Sequence, residues 1–212
     1  MRIPSHPFSP STIEQIRCAF AGFAGRTSSN SKCLKRASVG IILVAADDES
    51  GETAFLLTVR SHKLRSHAGQ YALPGGRNEP EEDAVDTVIR ECAEEVALNL
   101  SRDQMLGMLD VYPTQSGYSI TPVVFVVEGE SSIRANPEEV ERVYKIKLSE
   151  LLGERSVQFV KQKNRDDVLI RFPVFDHHIY APTAAIIYQF LELVAGRYQR
   201  VDNLAAPDFA TR

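Results

Sequence analysis

Arg90, Glu91, Glu94 and Glu95 are the residues of this chain whose types and spacing most plainly suit chemistry. An α-helix turns about 100° per residue, so positions i, i+3 and i+4 share one face. A helix through this segment therefore gathers the three carboxylates, with Arg90 beside them. Their place is near the helix C-terminus, the negative end of the macrodipole, where acids are disfavoured. Three acids crowded there call for a cation, and clustered carboxylate oxygens suit a hard divalent ion such as Mg²⁺ or Mn²⁺. An isolated Glu-x-x-Glu-Glu is more often a solvated helix face. The surroundings alter that weighing: a Gly75-Gly76 pair and Glu82 come before it, and Arg90 directly precedes the first Glu.

Positioning these groups requires a turn and a helix. Pro74-Gly75-Gly76 reads as the turn, and the helix is expected from roughly Glu81 to Ala97. Pro80 stands behind it, and Glu81, Glu82 and Asp83 occupy its favourable positive end. Val85, Val88, Ile89, Cys92 and Val96 form its apolar side. Upstream, Ala37 to Ala46 and Ala54 to Arg60 read as strands, and Gln70 to Leu73 as a short strand feeding the turn. Between them, Ser61 to Gly69 is a polar loop dense in His62, Lys63, Arg65 and His67. Downstream, strands are expected at Gln104–Tyr112, Tyr118–Val127 and Glu138–Leu148, with a helical turn at Ser149–Leu152. Val157–Gln162 and Val168–Val174 read as a hairpin, and Pro182–Leu193 as a final amphipathic helix before Gly196. Strands interleaved with two main helices predict an α/β fold, a mixed sheet with a helix on each face.

The chain divides into an N-terminal helix and loop extension over 1–36, a main domain over 37–196, and a tail over 197–212. In the extension, Ile13, Ile16, Phe20 and Phe23 recur every three to four residues, which predicts a packed helix. Ser11 or Thr12 would cap it and Gly25 would stop it. The same extension holds six Lys and Arg against Glu14 alone, a composition that organellar transit segments share. We favour the packed helix and a cytoplasmic protein, with an organellar matrix as the alternative. Cys18, Cys33 and Cys92 form no paired spacing, which fits a reducing compartment. A formal charge of −4 gives no basic footprint for duplex nucleic acid, and no apolar run approaches membrane-spanning length.

The stretch Gly76 to Leu98 resembles the Nudix hydrolases, whose box is G-x5-E-x7-R-E-U-x-E-E-x-G-U with U apolar. Gly76, Glu82, Arg90, Glu91, Glu94 and Glu95 match at full spacing. Cys92 takes an aliphatic position, and Ala97 replaces the second glycine. Alanine costs roughly 1 kcal/mol in a left-handed helix end, or else the helix runs on further. Upstream, LLTVRSHKLRSHAGQ from Leu56 to Gln70, followed by Pro74-Gly75-Gly76, is similar to the signature of coenzyme A-type Nudix pyrophosphatases. Tyr71 and Ala72 depart from that signature's usual pair. Weaker echoes are PTQSGYSITPVV from Pro113 and NPEEVERVYKIKLSELL from Asn136.

The resemblance implies a Nudix α/β/α sandwich with the box as a loop-helix-loop. It also implies a metal-dependent pyrophosphatase that splits coenzyme A or acyl-coenzyme A into 3′,5′-adenosine bisphosphate and (acyl-)4′-phosphopantetheine. Glu91 and Glu95, one turn apart, are the first-choice ligands for Mg²⁺ or Mn²⁺, with Glu94 third and the Gly76 main-chain carbonyl completing the set. Arg90 would orient a Glu. The general base stays open among Glu91, Glu94, Glu138 and Glu139. Arg60, Arg65 and His67 are candidates for binding substrate phosphates; His67 and Gln70 could instead hold the loop to the sheet. His177 and His178 read as structural. Tyr112, Tyr118 and Tyr180 read as core before adenine platforms. Other nucleoside diphosphate derivatives are the alternative substrates, and a non-catalytic nucleotide-binding module is the alternative class. A homodimer is a family expectation.

Overall fold

The apolar run of residues 39–44 interrupts any polar alternation, as expected of a strand covered on both faces. In the computed structural model it is the middle of the large sheet. The structure describes residues 6–26, 34–64, 66–129, 132–152, 157–161, 168–175, 177–201 and 204–205. Its elements are α1 (Pro10–Ala21), β1 (Lys35–Ala45), β2 (Thr53–Arg60), β3 (Tyr71–Ala72), β4 (Gly75–Arg77) and α2 (Ala84–Val96). Then follow β5 (Met105–Met108), β6 (Tyr112–Pro113), β7 (Tyr118–Val126), β8 (Val140–Lys147) and α3 (Leu148–Leu151). The last are β9 (Gln158–Lys161), β10 (Val168–Val174), β11 (His177–Tyr180), α4 (Thr183–Val194) and β12 (Leu204–Ala205).

The large sheet runs β3-β2-β1-β7-β5, with β4 also on β1, β6 on β7 and β8 on β2. β1 and β7 are parallel while the other pairs are antiparallel, so the sheet is mixed. A smaller sheet orders β11-β10-β12, with β9 on β10. Side chains alternate across the large sheet. Ile42, Val44, Leu56, Val123 and Phe125 form one cluster with Val85, Val88, Cys92 and Val96 of α2. Ile41, Leu43, Phe55, Leu57 and Val124 form the other, with Ile13, Ile16 and Phe20 of α1 and Ile186, Ile187 and Phe190 of α4. Gly40 lies under α2, where an added Cβ would come 2.7 Å from Val88 Cγ1; its bare backbone permits the helix to approach.

Several elements differ from expectation. α1 begins at Pro10, with Ser9 as its cap, because Pro suits the first helical position; it ends at Ala21, not Gly25. Phe23 lies past that end, stacked on Tyr198 with ring centroids 6.2 Å apart. The strand expected over Gln104–Tyr112 breaks into a 3-10 turn (Arg102–Gln104), β5 and β6. The break turns Asp110 inward, where it accepts from the Arg26 N–H at 2.8 Å, Gln189 Nε2 at 2.8 Å and Arg200 Nη1 at 2.5 Å. β4, β11 and β12 have two to four residues each, too short for periodicity to announce. β12 lies within the stretch that reads as a tail, with Leu204 opposite Val168 of β10. Among the described residues no helix is long and apolar enough to cross a membrane.

Candidate metal and phosphate site

Asp83 sets the start of α2. Its side chain accepts from the N–H groups of Val85 and Asp86 at 2.8 and 2.9 Å, and the Asp86 carboxylate accepts the Asp83 N–H in return. This reciprocal cap starts the helix three residues after the expected Glu81. Glu82 is thereby released from the helix. It reaches along the first two turns and accepts from Arg90 Nε at 2.7 Å, Arg90 Nη2 at 3.1 Å and Thr87 Oγ1 at 2.9 Å. The Arg90 guanidinium is the main reason the Glu82 carboxyl falls to about 2.

Arg90 also donates through Nη1 to Glu91 Oε1 at 2.9 Å and to Glu94 Oε2 at 3.2 Å, and through Nη2 to the Arg77 carbonyl at 3.1 Å. One guanidinium thus holds Glu82, Glu91 and Glu94 and ties α2 to β4. These bonds, that to Glu82 foremost, raise its own proton affinity further. At the other end Ala97 takes the left-handed conformation, φ 55° and ψ 31°, and the Leu98 N–H donates to the Cys92 carbonyl at 3.1 Å. The helix stops where the box glycine would stop it, at a backbone cost of roughly 1 kcal/mol for the added Cβ.

Oxygens of Glu91, Glu95 and Glu139 all lie within 4.8 Å of one another. Glu95 is 4% exposed, and its Oε2 accepts the Gly75 N–H at 3.1 Å. Burial pushes its carboxyl up to about 8; the charges of Glu91 and Glu139 add to the rise, while the Gly75 N–H and Arg60 oppose it. Burial also raises Glu91, against the pull of Arg90. Three carboxylates around a common point, Glu91 and Glu95 among them raised by burial, form a donor set matched to a divalent cation. The backbone comes close to them because it carries no side chain there. A Cβ on Gly76 would lie 2.1 Å from Glu91 Oε1, and one on Gly75 2.3 Å from the Ser38 carbonyl oxygen across β1.

Glu94 is outside this trio, half-exposed and paired with Arg90. Glu138 is also outside it, exposed and bridged to Lys63 at 2.6 Å. Arg60 ends β2 near Glu95, and its Nε is buried with no hydrogen-bond partner among the described residues. His67 Nδ1 lies 3.2 Å from Gln70 Oε1, and the Gln70 carbonyl accepts the Arg60 N–H at 3.0 Å. His67 thus pairs within the β2–β3 loop, and the Gln70 main chain ties that loop to the end of β2. Arg65 lies outside the described residues. Tyr112 is buried in the core, with its hydroxyl donating to the Leu204 carbonyl. Tyr118 lies under the Arg77 guanidinium, 5.3 Å from its ring centre. From the sequence Glu139 is a candidate base and not a candidate ligand. Its place beside α2 depends on a loop that returns 43 positions after residue 96, a relation that no local spacing encodes.

The NUDIX domain family matches residues 34–171, well over half of the chain. A protein of Photorhabdus laumondii called uncharacterized Nudix hydrolase NudL is 36% identical over 142 residues, 66% of this chain and 76% of that protein. Its namesake in Yersinia enterocolitica is 41% identical over 102 residues, 48% of this chain and 52% of that one. The match therefore spans about half the length of the Yersinia relative. Among solved structures, a MutT protein from Methanosarcina mazei Go1 is 19% identical with a TM-score of 0.49, covering 82% of this chain and 97% of that one. The family match and the Photorhabdus relative, together with a box helix whose carboxylates converge in a mixed α/β fold, establish that this chain belongs to the Nudix hydrolase family.

Proposed function

We propose that the protein is a divalent-cation-dependent pyrophosphatase acting on coenzyme A or an acyl derivative, with 3′,5′-adenosine bisphosphate and (acyl-)4′-phosphopantetheine as products. The observation that carries the reaction class is the convergence of Glu91, Glu95 and Glu139 within 4.8 Å, with Glu91 and Glu95 raised in proton affinity by burial. Their hard oxygens fit Mg²⁺ or Mn²⁺, and the Gly76 main-chain carbonyl would add a neutral donor. A cation there would neutralise diphosphate charge and polarise its oxygens.

The chain's own side chains do the remaining work. Arg90 fixes Glu91 in the trio and keeps Glu94 at its margin, where a half-exposed carboxylate can accept a proton from water. Arg60 has a buried Nε with no hydrogen-bond partner among the described residues, and a guanidinium so placed suits a phosphate oxygen. Arg65 and His67 belong to the same basic loop, with Gln70 closing it. Coenzyme A carries a 3′-phosphate as well as its diphosphate, so a cationic loop beside the acidic trio suits it. The substrate assignment rests on the motif from Leu56 to Gly76.

The test is product analysis by mass spectrometry. Coenzyme A, NADH and ADP-ribose are offered together with Mg²⁺ and then with Mn²⁺. Selective release of 3′,5′-adenosine bisphosphate is expected. Turnover of NADH or ADP-ribose in preference would retain the metal chemistry and overturn the coenzyme A assignment. Tight nucleotide binding without turnover in either metal would overturn the enzyme reading.

A further inference from the structure

The third carboxylate of the trio comes from a loop, and the β-ladder does not extend to it. β8 pairs with β2 from Lys147 as far as Val140, which lies opposite Arg60 after a register shift. Glu139 is one residue past that last pair. Asn136 and Ser61 supply the missing support from two directions.

Asn136 opens the turn Asn136-Pro137-Glu138-Glu139, closed by the Glu139 N–H donating to the Asn136 carbonyl at 3.0 Å. Asn at the first position and Pro at the second are the residues such a turn favours. Asn136 Oδ1 accepts the Glu138 N–H at 3.2 Å, which fixes the turn from within. The Asn136 N–H in turn donates to the Glu95 carbonyl at 2.9 Å, and the Arg134 N–H to the Val96 carbonyl at 3.0 Å. Two carbonyls that the end of α2 leaves unpaired are thus taken up by this loop. From the other side, Ser61 is 1% exposed and adjacent to Arg60. Its N–H donates to the Glu139 carbonyl at 2.8 Å and its hydroxyl to the Pro137 carbonyl at 3.3 Å. The main chain around Glu139 is therefore fastened both to the last turn of α2 and to the end of β2.

We propose that Asn136 and Ser61 are positioning residues that hold Glu139 against Glu91 and Glu95 and thereby set the cation affinity of the trio. The inference rests on the metal-site reading above. Neither side chain belongs to the trio, so each acts through Glu139. Removing outer support of this kind typically weakens metal binding 10–100-fold.

Mn²⁺ binding to the full chain, followed by the electron paramagnetic resonance signal of free Mn²⁺, tests this without substrate. About tenfold weaker binding is expected for Asn136→Ala and for Ser61→Ala. Asn136→Ser should restore it, because serine favours the same turn position. In an Glu139→Gln background neither substitution should weaken binding further, since its route of action is already gone. A fall in thermal stability with Mn²⁺ affinity unchanged would overturn the inference. So would an equal loss with and without Glu139. Should Asn136→Ala fail to fold, Ser61→Ala carries the test, because it retains the main-chain bond to Glu139. Glu95→Gln separates the two levels. Wild-type Mn²⁺ binding in that variant would overturn the metal site itself. Its loss there, beside wild-type binding in Asn136→Ala and Ser61→Ala, would overturn only the positioning role.

Discussion

Glu95→Gln should stabilise the metal-free protein at alkaline pH while abolishing its turnover. Glu95 has its carboxyl raised from an ordinary 4.5 to about 8, chiefly by burial. The folded protein therefore holds this proton more tightly than the unfolded chain. Between pH 4.5 and 8 folding takes up a proton, and metal-free stability falls as pH rises. Below 4.5 this contribution is fully present; above 8 it is lost. At about 1.4 kcal/mol per pH unit, the whole window is worth on the order of 5 kcal/mol. Glutamine has nearly the same shape, keeps an oxygen for the Gly75 N–H now 3.1 Å away, and does not titrate. For a chain of this size 1 kcal/mol moves Tm by about 2–4 °C, so the variant should melt roughly 10 °C above wild type at pH 8 in EDTA. The two should converge towards pH 4.5. Added Mn²⁺ should raise the wild-type Tm by mass action and leave that of the variant nearly unmoved. The assay is thermal unfolding across pH 5–8.5 with and without Mn²⁺. Parallel pH profiles in EDTA would refute the assignment of Glu95 as a buried, proton-holding ligand.

Gly76→Ala places a Cβ 2.1 Å from Glu91 Oε1, so Glu91 must leave the trio. A displacement of about 1 Å at a reacting site costs about 100-fold in rate; kcat/KM should fall by that order with Tm nearly unchanged, and a variant of wild-type activity would refute the close-approach argument. Arg90→Ala removes the shared partner of Glu82, Glu91 and Glu94 and should cost about 2–3 kcal/mol at neutral pH, measured by urea unfolding. Because the Glu82 carboxyl is depressed to about 2, its stabilisation is present above 4.5 and lost as pH falls through 2. The variant should therefore lose less stability than wild type on acidification; equal losses would count against the Arg90 hub.

The local arithmetic of the chain determined much of this protein. Helical spacing alone puts Glu91 and Glu95 on one face, and the unbroken apolar run in β1 specifies a strand buried on both sides. The hairpin of β9 and β10 and the length of α4 follow from the same periodicities and from Pro and Gly at the ends. Two boundaries shifted because caps outrank periodicity. Ser9 and Asp83 begin their helices through hydrogen bonds that an apolar pattern does not register. β4, β6, β11 and β12 are too short to carry a pattern, and they form because a neighbouring strand offers its edge. The fate of each acid was a tertiary decision. Glu82, Glu91, Glu94, Glu95, Glu138 and Glu139 look alike in sequence, yet Arg90 draws Glu82 and Glu94 aside while steadying Glu91, and Lys63 takes hold of Glu138. Glu91, Glu95 and Glu139 are left to converge. Convergence needs the Gly75-Gly76 backbone on one side and the Asn136 turn returning to the end of α2 on the other. Sequence spacing fixes which residues share a helix face; only the folding of distant segments onto one another fixes which carboxylates share a dielectric and a cation.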